Sequence, residues 1–75
     1  MALTIEPKQA AAVTGALRHL PGVRTLHSVS GDFDMIAALE ARSVAEMDAL
    51  IDEIGGVAGV ERTNSYIVLS TKFDR

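Results

Sequence analysis

The chain has 75 residues, a net charge of −3 and no cysteine, which bounds it to one domain without disulfides or thiolate metal sites. Its seven Lys and Arg are scattered, and aromatic residues make up only 4%, so the basic stripe and the stacking platform of a nucleic-acid binder are both missing. No apolar run approaches the roughly 20 residues of a membrane span, and the Met1–Pro7 segment has no apolar core of a signal peptide.

Ala2 to Glu6 alternates Leu3 and Ile5 with Ala2 and Thr4, the period of a strand. Pro7 suits the first turn of a helix, where its missing N–H costs nothing. The spacing of Ala10, Val13, Leu17 and Leu20 predicts a helix over 8–20 with one apolar face. Gly15 weakens it, and Pro21-Gly22 stops it. Val23 to Ser30 reads as a second strand. Gly31-Asp32 reads as a tight turn, since glycine there takes positive φ at no steric cost. Phe33 to Ala41 follows as a third strand, with apolar residues on both faces.

Ser43-Val44-Ala45-Glu46 has the form of a capping box. The helix behind it is expected to run to about Ile54, with Val44, Met47, Leu50, Ile51 and Ile54 as its apolar stripe. Glu46, Asp48, Asp52 and Glu53 lie off that stripe as a solvated face. Gly55-Gly56 ends the helix, and Val60 to Lys72 reads as the last strand. The two halves form a weak repeat offset by 37 positions, which matches Val13 to Leu50, Leu17 to Ile54 and Gly22-Val23 to Gly59-Val60.

This order, βαββαβ, is the ferredoxin-like α+β arrangement, a four-stranded antiparallel sheet with both helices on one face. The helices leave the other face open. A core of this size supplies only about 3–5 kcal/mol, and without cysteine the remaining reinforcement is assembly. A homodimer packed through its sheets, a dimeric α/β barrel, is the expected answer, because a two-fold interface uses the same patch on both partners.

Three polar side chains, those of Ser30, Asp32 and Asp34, crowd the turn beside Gly31 and Phe33. Free backbone N–H groups there suit a carboxylate, and Asp32 or Asp34 suits an ammonium group through a charge-assisted hydrogen bond. An amino acid needs both. The same residues also make an ordinary hairpin corner. His19 and His27 stand without a carboxylate-rich metal spacing or a nucleophile beside them. Met35 and Met47 read as core fillers. Neither catalysis, a metal nor a cofactor is expected.

Four segments carry a family resemblance. Leu20-Pro21-Gly22-Val23 resembles the first helix-to-strand exit of the effector-binding (RAM) domain of Lrp/AsnC transcriptional regulators. Val29-Ser30-Gly31-Asp32-Phe33-Asp34 is similar to its Thr-Gly-x-Tyr/Phe-Asp hairpin signature. Ile54 through Val60 resembles the second exit, and Val60 through Leu69 its last strand. The resemblance runs over nearly the whole chain as a single RAM domain, residues 1–75.

It implies the ferredoxin-like fold, dimers joined through their sheets, and further assembly into rings. Small effectors, typically amino acids, would bind between dimers. Carried over by position, the effector-binding residues are Ser30, Gly31, Asp32, Phe33 and Asp34, with Thr63 and Ser65 from the last strand. Ser65 stands where a threonine is common, and the hydroxyl is kept. No helix-turn-helix domain precedes Met1 in this sequence, so the resemblance implies a stand-alone module. Such a module would regulate transcription or metabolism through partners, full-length Lrp/AsnC regulators among them, in the cytoplasm and without touching nucleic acid or membrane. The alternative is a small dimeric α/β-barrel enzyme of the monooxygenase type. Its substrate would sit inside one subunit, beside His19 or His27.

Overall fold

The computed structural model describes every residue from Met1 to Arg75. Its elements are β1 (Ala2–Ile5), a 3-10 turn (Pro7–Gln9), α1 (Ala10–Arg18), β2 (Val23–Ser28), β3 (Met35–Leu39), α2 (Val44–Gly55) and β4 (Val60–Asn64). The strands form one antiparallel sheet in the order β2-β3-β1-β4. This is the expected ferredoxin-like topology. No helix is long and apolar enough to cross a membrane.

Leu3 pairs with Met35 across β1 and β3, so these two side chains point to the same face. They join Ile5, Val13, Leu17 and Ile54 in one core cluster, which sets both helices on that face. Leu3, Val13, Leu17 and Ile54 are wholly buried. Each is aliphatic, as the scarcity of aromatic residues requires, and burial of each contributes about 1.5–3 kcal/mol.

The internal repeat is real in three dimensions. A Cβ on Gly22 would come within 2.5 Å of Leu50 Cδ2, and one on Gly59 would collide with Gln9 and come within 2.9 Å of Val13 Cγ2. Leu50 and Val13 are themselves repeat partners, so each glycine lets the helix of the other half approach. The backbone repeats too. Glu40 N–H donates to Gly22 C=O and Glu6 N–H to Gly59 C=O, both at 2.8 Å. The ladder shifts register between Val23 and Thr25 in one half and between Thr4 and Ile5 in the other. The second shift sits opposite Val60 and Arg62, the repeat partners of Val23 and Thr25. These bulges twist the two outer strand pairs alike.

Ser43 caps α2 as expected: its Oγ accepts from Glu46 N–H at 3.1 Å. The return bond differs from the usual box, because Glu46 Oε2 accepts from Arg42 N–H rather than from the cap residue. Val44 is exposed and drops out of the apolar stripe. In α1 a Cβ on Gly15 would meet nothing, so that glycine is tolerated and serves no close contact.

The last strand is shorter than the Val60–Lys72 predicted. It ends at Asn64, opposite Ala2, where β1 begins and the β1–β4 pairing stops. Residues 65–75 lie outside every helix and strand and take part in no backbone hydrogen bond. The open face of the sheet is also more polar than predicted. By register it carries Thr25 and His27, Ile36 and Ala38, Ala2 and Thr4, and Arg62 and Asn64. The strong apolar run assigned to the last strand, Tyr66-Ile67-Val68-Leu69, lies beyond the sheet.

Candidate functional site

The hairpin corner between β2 and β3 is closed by Val29 N–H donating to Asp34 C=O at 3.0 Å. Gly31 holds φ +116°, the left-handed region that favours glycine. A Cβ there would touch nothing, so conformation alone demands the glycine. Ser30, Gly31 and Asp32 are exposed, and Phe33 is half-buried.

Asp34 has a structural task. Its Oδ2 accepts from Ile5 N–H at 2.7 Å, and its own N–H donates to Leu3 C=O at 2.8 Å. A charge-assisted bond to a backbone donor is among the stronger kinds, and this one clamps the corner to the end of β1. Asp32 makes no side-chain hydrogen bond or ion pair within the chain. It is the carboxylate left available.

Arg62, which the sequence did not single out, completes the corner. Its guanidinium lies 5.9 Å from the centre of the Phe33 ring, within cation–π range. In register Arg62 sits opposite Thr4 in β1. Thr4 Oγ1 is shielded from solvent and has no hydrogen-bond partner. A cation, an aromatic ring, a free carboxylate and an unused hydroxyl thus belong to one end of the sheet. The alternation of β4 holds the signal for Arg62: it is the basic residue of that strand on the open face.

Thr63 and Ser65 divide. Thr63 pairs with Leu3, which pairs with Met35, so two strand spacings, about 9–10 Å, separate it from the base of the hairpin. Ser65 lies beyond the end of β4, toward the opposite end of the sheet from the hairpin. There it helps line an apolar cleft of about 520 Å³ between β3, α2 and the C-terminal segment. One subunit does not bring Ser65 to the corner.

A second cleft of about 440 Å³ lies between α1 and β2, and a third of about 550 Å³ runs beside Gly22, Arg42 and Leu50. His19 and His27 are exposed and line none of these three.

With this geometry in view, residues 1–75 match the family model described as the Lrp/AsnC ligand binding domain. The chain is 31% identical over 61 residues to the HTH-type transcriptional regulator LysM of Saccharolobus solfataricus, a match that covers 81% of this chain and 43% of that protein. It is 38% identical over 58 residues to a homocitrate synthase of Sulfurisphaera tokodaii, covering 77% of this chain and 13% of the enzyme. The chain thus spans less than half the length of either relative. A crystal structure of TTHA0845 from Thermus thermophilus superposes with a TM-score of 0.87 and 27% identity, covering 99% of this chain and 92% of that one.

Proposed function

The chain belongs to the Lrp/AsnC ligand-binding domain family, and from that membership we propose that it is a regulatory module whose effector is a free amino acid, taken up at the hairpin corner. The observation that carries this is the pairing of charges there. Asp32 is an uncommitted carboxylate, and Arg62 is a guanidinium held over Phe33, the residue next to Asp32. An α-ammonium and an α-carboxylate need that pair of opposite groups. The exposed peptide groups of the Ser30-Gly31 turn supply further donors. Thr63 lies on the neighbouring strand pair, and Ser65 would join the site only from another subunit.

The relatives support a regulatory role. The same module forms 43% of a helix-turn-helix regulator and 13% of a synthase. DNA binding is the business of the one and catalysis of the other, so the shared part fits a sensing or assembly role serving both. In this reading copies of the chain join through the open sheet face, dimers assemble into rings, and the effector sits between dimers. Regulation of transcription or metabolism would then pass through partners, full-length regulators of the family among them. The monooxygenase-type alternative draws no support from the clefts, which neither histidine lines.

The test is a panel of the common amino acids, each at about 10 mM, read by thermal unfolding and by light scattering. A ligand that binds only the folded, assembled state stabilises it by about 2.7 kcal/mol at a hundredfold excess over its Kd. At least one amino acid is expected to raise the midpoint, and Asp32→Ala and Arg62→Ala are each expected to abolish the rise. If no amino acid moves either the midpoint or the mass, the effector reading falls.

A further inference from the structure

Strands β2 and β4 lie at the two edges of the sheet, so each has one side without a strand partner. Such an edge is a template for another chain, which proteins usually blunt. At β2 the register says which groups are free. Val29 N–H donates to Asp34 C=O, and the ladder runs on in unbroken register through His27 opposite Ile36 to Thr25 opposite Ala38. Bonded and unbonded positions alternate in an antiparallel pair. Thr25, His27 and Val29 therefore turn their N–H and C=O toward β3, and Leu26 and Ser28 turn theirs outward. No turn, loop or cap bond takes those outward groups up. Arg24 and the register shift between Val23 and Thr25 blunt one end of the edge. From Thr25 to Val29 there is no Pro, Lys or bulge.

Along that open stretch runs the cleft of about 440 Å³ between α1 and β2. Leu26 and Met35 give it an apolar floor, and Ser28 also lines it. Its only charged lining residues are Arg18 and Arg24, in a chain whose net charge is −3. Arg24 is shared with Glu40 at 3.6 Å, both side chains being exposed, and Arg18 makes no ion pair. A guest strand bonded to the outward groups of Leu26 would set the residue opposite it on the same side of the sheet, over this floor. The guest's next residue on that side comes two positions on, about 7 Å away, toward the guanidiniums. The other edge has no such socket, because no residue of β4 lines any of the three clefts.

We propose that the β2 edge receives an extended segment of a partner protein as a fifth strand, with an apolar residue over Leu26 and Met35 and a carboxylate two positions away at Arg18 and Arg24. Main-chain bonds to Leu26 and Ser28 supply the affinity of such strand addition, and the cleft supplies the choice of side chains. Charge decides the occupant. Two β2 edges paired with each other would gather the Arg18 and Arg24 of both copies along one seam, with no carboxylate in either cleft lining, and like charges across an interface disfavour it. An acidic, apolar segment of another protein meets the same guanidiniums with opposite charge. Copies joined through their open sheet faces leave this edge free, and the groove stands whether or not the hairpin corner takes an amino acid.

The probe is a blocked peptide, Thr-Glu-Thr-Val-Thr-Glu-Thr, whose Val and two Glu share one face and whose sequence reads the same in either direction. Titrated into the whole chain and followed by amide NMR, it is expected to bind with a Kd below about 1 mM. Binding is expected to slow the exchange of the Leu26 and Ser28 amides several-fold and to leave those of Thr25 and His27 unchanged. The same peptide with Lys in place of Glu is expected to bind at least about tenfold more weakly, and Arg18→Glu to reverse that preference. Ser28→Pro removes an outward N–H, which an edge strand tolerates, and is expected to lose the peptide with circular dichroism retained. No saturable binding at about 10 mM, well above that Kd, equal binding of the two peptides, or binding that leaves the Leu26 and Ser28 amides unchanged would each overturn the proposal. Protection of those two amides in the chain alone, rising with its concentration, would place a second copy on the edge and overturn it as well. Should Ser28→Pro fail to fold, amide exchange in the wild type and the Arg18→Glu reversal decide.

Discussion

Three glycines separate two costs that usually come mixed, and this gives the sharpest stability test. Gly31 has φ +116° and open space around a would-be Cβ. Alanine there pays only for a left-handed backbone, about 1–2 kcal/mol. Gly22 has an ordinary φ but would set its Cβ 2.5 Å from Leu50 Cδ2 and 3.0 Å from Glu40 O. Alanine there suffers only from overpacking, about 1–3 kcal/mol. Gly59 combines φ +99° with a collision against Gln9 and Val13, so both costs fall on one residue and sum to about 2–5 kcal/mol. For a domain of this size 1 kcal/mol moves the midpoint by about 4–8 °C. Gly31→Ala is thus expected to lose about 5–15 °C, and Gly59→Ala to lose about 10 °C at the least and to leave the chain largely unfolded at the upper end. The measurement is thermal and urea unfolding followed by circular dichroism at one fixed protomer concentration, since assembly makes the midpoint concentration-dependent. The reasoning fails if Gly31→Ala costs as much as Gly59→Ala, or if Gly59→Ala is tolerated within about 1 kcal/mol.

Other substitutions probe single contacts. Asp34→Ala removes the acceptor of Ile5 N–H and is expected to cost about 1.5–3 kcal/mol in urea unfolding; an unchanged midpoint would mean the clamp is not made. Ser43→Ala removes the cap of α2 and should cost about 1 kcal/mol, whereas Ser43→Asp should cost little. Arg62→Ala forfeits the stack on Phe33, worth about 0.5–1 kcal/mol, so its stability should barely move while any amino-acid response disappears. Should stability and response fall together in that variant, the guanidinium is a structural element and the site lies elsewhere.

The fold was readable because its two periodicities are clean and each change between them is punctuated. Pro7 opens the first helical segment, Pro21-Gly22 and Gly55-Gly56 close the two helices, and Ser43 opens the second. The repeat supplied what periodicity cannot, a statement about tertiary contact. Gly22 and Gly59 are equivalent in sequence, and each proves to be a point where a side chain from the helix of the other half packs directly against the glycine. Propensity alone would have left both as turn residues.

The end of the last strand was unreadable for a physical reason. Val60 to Lys72 has strand-forming residues on either side of Asn64, and nothing in their pattern marks that residue. A strand ends where its partner ends, and the partner here is β1, which begins opposite Asn64. Propensity belongs to a segment, pairing to two segments. The same argument explains why the effector residues divided. Thr63 and Ser65 are close in sequence, yet Thr63 pairs with Leu3 while Ser65 borders the cleft beyond the sheet. Arg62 went unnoticed because what matters is the ring it covers, and Phe33 belongs to a distant hairpin. Both surprises lie along one stretch, 62–69, that enters the sheet beside the hairpin's end and leaves it at the other.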